Sequence, residues 1–341
     1  MSPQPYNYTG PVDCSIAADK TQCKGKSVIV TGGLCSASSV SSIDFSLSEC
    51  GFLLKSISTV LTAAVSGANG LGEAYVRAFV EAGAFVTFCD INEGKGQAVE
   101  AELTPQNVCF VKCDTRSWDD QVQMFESAVA KSPSKSVDIV IANAGVGRGS
   151  GDPMMQLEDP FTTPTKPSTH IIDINLIGAL YTFKLAVHYF RRSPPGADRD
   201  RCFIFIGSVA GFVDNLGSWE YSAAKFGLRG FMRAVRWHSY HQSIRVAYVA
   251  PYYVRTVIQS AETYQGMKDK GVEFATVDSC VAAIMKISCD KEINGHSFVI
   301  VPYSVASEGF KDAGEDDWTD ENYWLQKMQR TVVKARGDAW S

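Results

Sequence analysis

The feature that most constrains this chain is a repeated alternation. Seven short apolar runs, Ser27–Thr31, Ala84–Cys89, Val108–Cys113, Val137–Asn143, Cys202–Gly207, Ile244–Ala250 and Ser297–Val301, recur along it. Between them lie longer amphipathic stretches: Gly72–Ala82, Trp118–Ala130, Thr169–Arg191, Ser222–His241 and Val277–Ser288. A strand that is apolar on both sides is buried on both sides, the condition of a parallel sheet covered by crossover helices. The pattern predicts an α/β fold, a single doubly wound domain over 26–308 with a seven-stranded parallel sheet. Residues 1–25 are expected to be an N-terminal arm and 309–341 a C-terminal tail, acidic and then amphipathic. Arg148–Ser168, rich in Gly, Pro, Asp and Thr, predicts a surface loop.

Composition narrows the partners. The chain is 45% hydrophobic, enough for a large core, and carries a net charge of −5. That balance marks no surface for phosphate backbones or anionic lipid, so neither nucleic acid nor a membrane is expected as partner. The ten cysteines are scattered without a CxxC pair. Cys89, Cys109 and Cys202 lie inside apolar runs, where a thiol behaves as a small hydrophobe. Met1–Lys20 is polar and contains prolines, unlike a signal peptide. Gly51–Val65 is interrupted by Lys55 and is too short to span a bilayer. A reduced, cytoplasmic protein with no metal site is expected.

One irregularity falls at the first strand. Ser27–Thr31 and Gly32 read as a strand entering a glycine turn, but the remainder, Gly67-Ala-Asn-Gly70-Leu71-Gly72, comes only after residues 33–66. Those 34 residues hold ten serines, no proline and three charges. Joining Gly32 to Gly67 restores T-G-x-x-x-G-x-G directly before a helix. Glycines there let the backbone turn sharply and approach a pyrophosphate, which the helix N-terminus binds through free N–H groups and its dipole. Glycine pairs before helices are also plain turns. Three readings of 33–66 stand open: a translated intron, a real surface excursion, or a displacement in which Thr59–Ser66 supplies the first strand. The spelling Thr31-Gly32 after Lys24-Gly25-Lys26 favours Ser27–Thr31 as that strand.

Two further sites stand out. Asp90 ends the second strand, 18 residues after Gly72, near the offset of an acid that binds a ribose diol and repels a 2′-phosphate. The competing reading is an Asp that caps a strand-end turn. Tyr221 and Lys225 stand at i, i+4 on one helix face, with Ser208 thirteen residues before the tyrosine at a strand end. An ammonium beside a phenol favours the phenolate, and a fall from about 10 to about 7 corresponds to roughly 4 kcal/mol. A tyrosine near neutrality can take a proton from an alcohol or give one to a carbonyl. An isolated YxxxK is usually an ordinary helix; Ser208 at this spacing alters that balance.

In these residues the sequence resembles the short-chain dehydrogenase/reductase family. The resemblance covers about 25–308 apart from 33–66, and rests on Thr31, Gly32, Gly70, Gly72, Asp90, Asp114, Asn143-Ala144-Gly145, Asn175, Ser208, Tyr221 and Lys225 in the family's order. Fungal secondary-metabolite and 15-hydroxyprostaglandin dehydrogenases are the members it looks most like. The resemblance implies a Rossmann-type domain that binds a nicotinamide cofactor through Thr31, Gly32, Gly70, Leu71, Gly72, Asp90, Asp114, Asn143, Ala144, Gly145, Val254 and Thr256. It makes Tyr221 the general acid/base and Ser208 the group that orients substrate. Lys225 binds the nicotinamide ribose and acidifies Tyr221, and Asn175 relays protons through water. Asp114 is implied to contact the adenine amino group.

The departure after the sixth strand is Pro251-Tyr252, where the family has Pro-Gly. Tyr252 brings bulk where the backbone passes the nicotinamide. The expected function is NAD-dependent hydride transfer, with NAD favoured over NADP, on an apolar secondary alcohol or ketone by a homodimer or homotetramer. The substrate would lie under a lid, Val254–Phe274, carrying Tyr264 and Met267, residues that also fit ordinary packing. The rival is a binding protein whose catalysis is impaired by the break and Tyr252. A lyase or isomerase on the same fold is a third reading, since fold does not fix reaction.

Overall fold

The computed structural model describes residues 8, 10–32, 70–103, 106–147, 154, 157–192, 200–215, 217–239, 243–256, 261–314, 316 and 323–337. The break at 33–66, Gly67 and the alternative strand Thr59–Ser66 lie outside the described residues. Eight strands form one sheet: β1 Ser27–Thr31, β2 Phe85–Asp90, β3 Val108–Lys112, β4 Ile139–Ala142, β5 Arg201–Ile206, β6 Ile244–Pro251, β7 Ser297–Ile300 and β8 Phe310–Asp312. Their order is β3-β2-β1-β4-β5-β6-β7-β8. Pairing is parallel from β3 through β7, and only β8 runs antiparallel, against β7. The seven expected strands are all present, and the eighth comes from the sequence assigned to the tail. It is three residues long, too short to show a period.

The sheet is covered on both faces, as strands without alternation require. Successive residues of β1 divide between two cores. Val28 and Val30 pack with Tyr75, Val76 and Phe79 of α1 (Leu71–Glu81) and with Ala283, Ile284 and Ile287 of α8 (Val277–Cys289). Ile29 faces the other way, toward Met124 and Phe125 of α3 (Trp118–Lys131), Phe190 of α5 (Ala179–Arg192) and Leu228 and Met232 of α6 (Trp219–Ser239). In β5, Cys202, Ile204 and Ile206 serve the first core, and Phe203 and Phe205 the second.

Two helices escape the periodicity. In α2 (Glu93–Glu102) only Gly96 and Val99 are buried, so it has scarcely an apolar face. The other, α7 (Ala261–Asp269), buries Tyr264 alone. The α4 turn His170–Ile172 leads into a π turn, Asp173–Gly178, and on into α5. By length and hydropathy His170–Arg192 matches a membrane span; its residues Leu185, Ala186, Tyr189 and Phe190 are buried in the second core. A last helix, α9 (Trp324–Gly337), lies in the expected tail. The expected arm is joined to β8, Val12 N–H donating to Asp312 at 2.8 Å.

Candidate active site

The sheet order reverses at β1, which lies between β2 and β4. Clefts at the carboxyl ends of the strands on either side of such a point are where doubly wound sheets bind ligands. A cleft of about 720 Å³ opens there. Gly32, Leu71, Asp90, Asp114, Asn143, Ala144, Gly145, Ser208, Tyr221, Lys225, Val254 and Thr256 all line it.

At the cofactor end, Gly32 leaves β1 with φ +61°, the left-handed region. A β-carbon there would lie 2.5 Å from Ala144 Cα, so both the turn and the close approach require glycine. Asn143 holds this turn. Its side-chain amide donates to Gly32 O at 2.7 Å and to Thr31 O at 3.2 Å. In return the Thr31 hydroxyl accepts from the backbone N–H groups of Asn143 and Ala144 at 3.1 and 3.2 Å. Across the break, Gly70 precedes α1 without a side-chain cap, and Leu71 begins the helix. Gly72 is buried within it. The chain on either side of the break therefore borders one cleft.

Asp90, 7% exposed, closes β2. Its carboxylate accepts from Asn92 N–H at 2.9 Å, so the capping role coexists with a place on the cleft wall. Asp114 is gripped by Arg116, with Nη2 to Oδ2 at 2.6 Å and Nε to Oδ1 at 3.0 Å. Those bonds from Arg116 hold its carboxyl below the usual value. Arg116, which the sequence reading passed over, lines the cleft and contacts His170 Nδ1 at 3.2 Å.

At the other end, α6 carries Tyr221 and Lys225 on one face. The Lys225 ammonium lies 5.4 Å from the centre of the Tyr221 ring and donates to Ile206 O at 3.1 Å. Burial pushes this amine down to about 8, since desolvation penalises the charged form. Ser208 follows β5 in extended conformation, and its hydroxyl accepts from Ala210 N–H at 3.1 Å, capping the short turn Val209–Gly211. Asn175 sits fully buried in the π turn. Its amide exchanges two bonds with Val146, Oδ1 accepting at 2.8 Å and Nδ2 donating at 2.9 Å. A β-carbon on Gly145 would stand 3.3 Å from Asn175 Oδ1 and 3.6 Å from Lys225 Nζ, so both groups flank that residue. Gln121 fastens the turn's end by donating to Gly178 O at 2.9 Å. Such π turns recur at functional sites, and no helical period predicts one.

The lid segment is partly described. Tyr264 and Met267 of α7 line the cleft. The Tyr264 hydroxyl donates to Val254 O at 3.0 Å and accepts from Thr256 N–H at 3.2 Å, so Tyr264 packs the segment together. Tyr252 keeps its backbone in register through a bond to Ile300 O at 3.2 Å. Its ring meets Tyr253 edge-on at 5.0 Å, and both rings border the cleft.

Comparison with known proteins agrees with this geometry. The family model described as short chain dehydrogenase matches residues 61–265. The chain belongs to that family. The match opens inside the break, whereas the described strand between β2 and β4 is Ser27–Thr31. The chain is 32% identical over 294 residues to 5′-hydroxyaverantin dehydrogenase of Dothistroma septosporum, covering 80% of this chain and 92% of that one. It is 30% identical over 262 residues to NADP-dependent dehydrogenase M3 of a Phoma species, covering 71% and 75%. Among solved structures, 3-ketoacyl-(acyl-carrier-protein) reductase from Brucella melitensis, complexed with NADH, has the same fold. That likeness has a TM-score of 0.61 at 18% identity, over 82% of this chain and 97% of that one.

As a short-chain dehydrogenase the chain is an oxidoreductase acting on CH–OH groups with a nicotinamide cofactor. The site fits that group: the Gly32 cradle has no room for a side chain, and Leu71, the first residue of α1, borders the same cleft. Among the described residues there is no cluster of three or more potential metal ligands.

Proposed function

We propose that this chain is an NAD-dependent dehydrogenase of an apolar secondary alcohol, or the corresponding ketone reductase, in secondary metabolism. The observation that carries the reading is the convergence of Ser208, Tyr221 and Lys225 from two elements onto one cleft. The nicotinamide ring, when bound, accepts or supplies the hydride. Tyr221 moves the proton at the substrate oxygen, and Ser208 donates a hydrogen bond to the same oxygen. Lys225 favours the phenolate by charge and holds the ribose. Asn175 completes a proton path beside Gly145. Thr31, Gly32, Gly70, Leu71 and Gly72 hold the pyrophosphate, Asp114 borders the adenine, and Asn143, Ala144, Gly145, Val254 and Thr256 line the nicotinamide half.

NAD is the cofactor proposed, because Asp90 puts a carboxylate at the end of β2 and exposed, uncharged Ile91 follows it. A carboxylate there accepts from the ribose diol and repels a 2′-phosphate. A relative named as NADP-dependent makes this a point to measure. Tyr252, Tyr253, Val213 and Met267 on the cleft wall suit a substrate with apolar, flat surface. A homodimer or homotetramer in the cytoplasm remains part of the proposal. The impaired binding protein is not favoured by any feature of the site.

The experiment is turnover of purified protein with NAD and NADP against a panel of secondary alcohols and ketones, followed by nicotinamide absorbance. Oxidation of an apolar secondary alcohol with NAD is the expected result. Cofactor binding without turnover across the panel would favour the binding protein.

A further inference from the structure

Tyr248 is fully buried in β6, on the face of the sheet that carries α6. Its hydroxyl is a junction. Ser208 N–H donates to it at 3.2 Å, and it donates in turn to Lys225 O at 3.2 Å. A longer contact reaches Ser208 O at 3.4 Å. One phenol therefore links the backbone of Ser208 to that of Lys225. The Lys225 side chain ties the same two elements a second time, through Ile206 O.

The ring has a built place. A β-carbon on Gly207 would lie 1.8 Å from Tyr248 Cζ, and one on Gly211 would lie 2.5 Å from its hydroxyl. Glycine at Gly207 is thus explained by the ring passing over it, and at Gly211 by the hydroxyl together with Lys225 O, which a β-carbon would approach to 2.9 Å; neither residue has the positive φ that favours glycine. Burial pushes the phenol far up, so it stays protonated and keeps its donor.

Resting on the proposed roles of Ser208, Tyr221 and Lys225, we propose that Tyr248 is a positioning residue for the reaction. Its hydroxyl fixes the Ser208 hydroxyl at the height on α6 where Tyr221 and Lys225 work. Reacting groups misplaced by about 1 Å cost on the order of 10²-fold in rate. Tyr248 itself reaches neither substrate nor cofactor in this role.

The test is Tyr248→Phe, which keeps the ring and removes the hydroxyl. The expected result is a fall in kcat of about 10- to 100-fold with the KM for cofactor within about twofold. The residual rate of Ser208→Ala should drop little further when Tyr248→Phe is added, because both act through one hydroxyl. Wild-type kcat in the single variant, or simply multiplicative losses in the double variant, would overturn the proposal. If Tyr248→Phe does not fold, Gly207→Ala decides: the three atoms nearest its methyl all belong to the Tyr248 phenol, so it should displace that group and give the same selective loss of kcat, and an unchanged kcat would refute it. Ser208→Ala and Tyr221→Phe alone serve as reference. Should they retain full turnover, the proposed function fails whatever Tyr248 does.

Discussion

The side-chain amide of Asn143 donates to Gly32 O at 2.7 Å. One residue of β4's carboxyl end thereby sets the turn that leaves β1. Removing the amide leaves the carbonyls of Thr31 and Gly32 without these donors. At about 0.5–1.5 kcal/mol per bond, Asn143→Ala should weaken cofactor binding roughly tenfold. Titration of protein fluorescence with NADH measures this, and unchanged affinity would remove Asn143 from the cofactor site.

Asp90 governs the choice of cofactor in this account. Asp90→Ala removes both the acceptor for the diol and the charge that repels a 2′-phosphate. The ratio of kcat/KM for NADP over NAD should rise by about tenfold or more. If the unmodified protein already uses NADPH better than NADH, Asp90 does not have this role.

Lys225 titrates where stability can be followed. Its amine is pushed from 10.5 down to about 8 by burial, so the folded state releases its proton before the unfolded state does. Between pH 8 and 10.5 Lys225 keeps its proton in the unfolded chain and has lost it in the folded one, so the contribution of this residue to stability rises with pH there. Below that window the buried charge costs about 3 kcal/mol, at about 1.36 kcal/mol per pH unit. Lys225→Met should melt higher than wild type at pH 7, and the gap should narrow as pH rises to 10.5. Its turnover should be lost. Parallel melting curves across the window would contradict the titration.

Residues 33–66 fall, in the sequence, within the turn proposed to hold the pyrophosphate. Gly32 and Leu71 border the same cleft from either side of the break, while Ser208, Tyr221 and Lys225 stand on β5 and α6. Excising 33–66 should therefore tighten NAD binding and raise the melting temperature, leaving the pH dependence of turnover unaltered. Weaker binding after excision would show that the segment is an evolved part of the site and would end the intron reading.

Strands buried on both faces announce themselves as apolar runs, which is why β1 to β7 were legible in the sequence. β8 was not, because Phe310–Asp312 is too short to carry a pattern. Nor was α2, whose exposed turns impose almost no spacing on side chains. The site residues were legible where chemistry fixes their type and spacing, as in Tyr221 and Lys225. Tyr248 and Arg116 were not, since what singles them out is a partner distant in sequence: Ser208, which follows the neighbouring strand β5, and His170 of α4. Gly207 and Gly211 were the signal available, two glycines beside a serine with no turn of positive φ to require them.

The central claim is that Tyr221 moves the proton. Its direct measurement is Tyr221→Phe, with kcat on the best secondary alcohol and the dissociation constant for NAD determined on the same preparation. The account predicts a loss of roughly 10²–10⁴-fold in kcat, the usual worth of general acid–base catalysis, with NAD affinity nearly unchanged. Retention of more than about a tenth of the wild-type rate would contradict it.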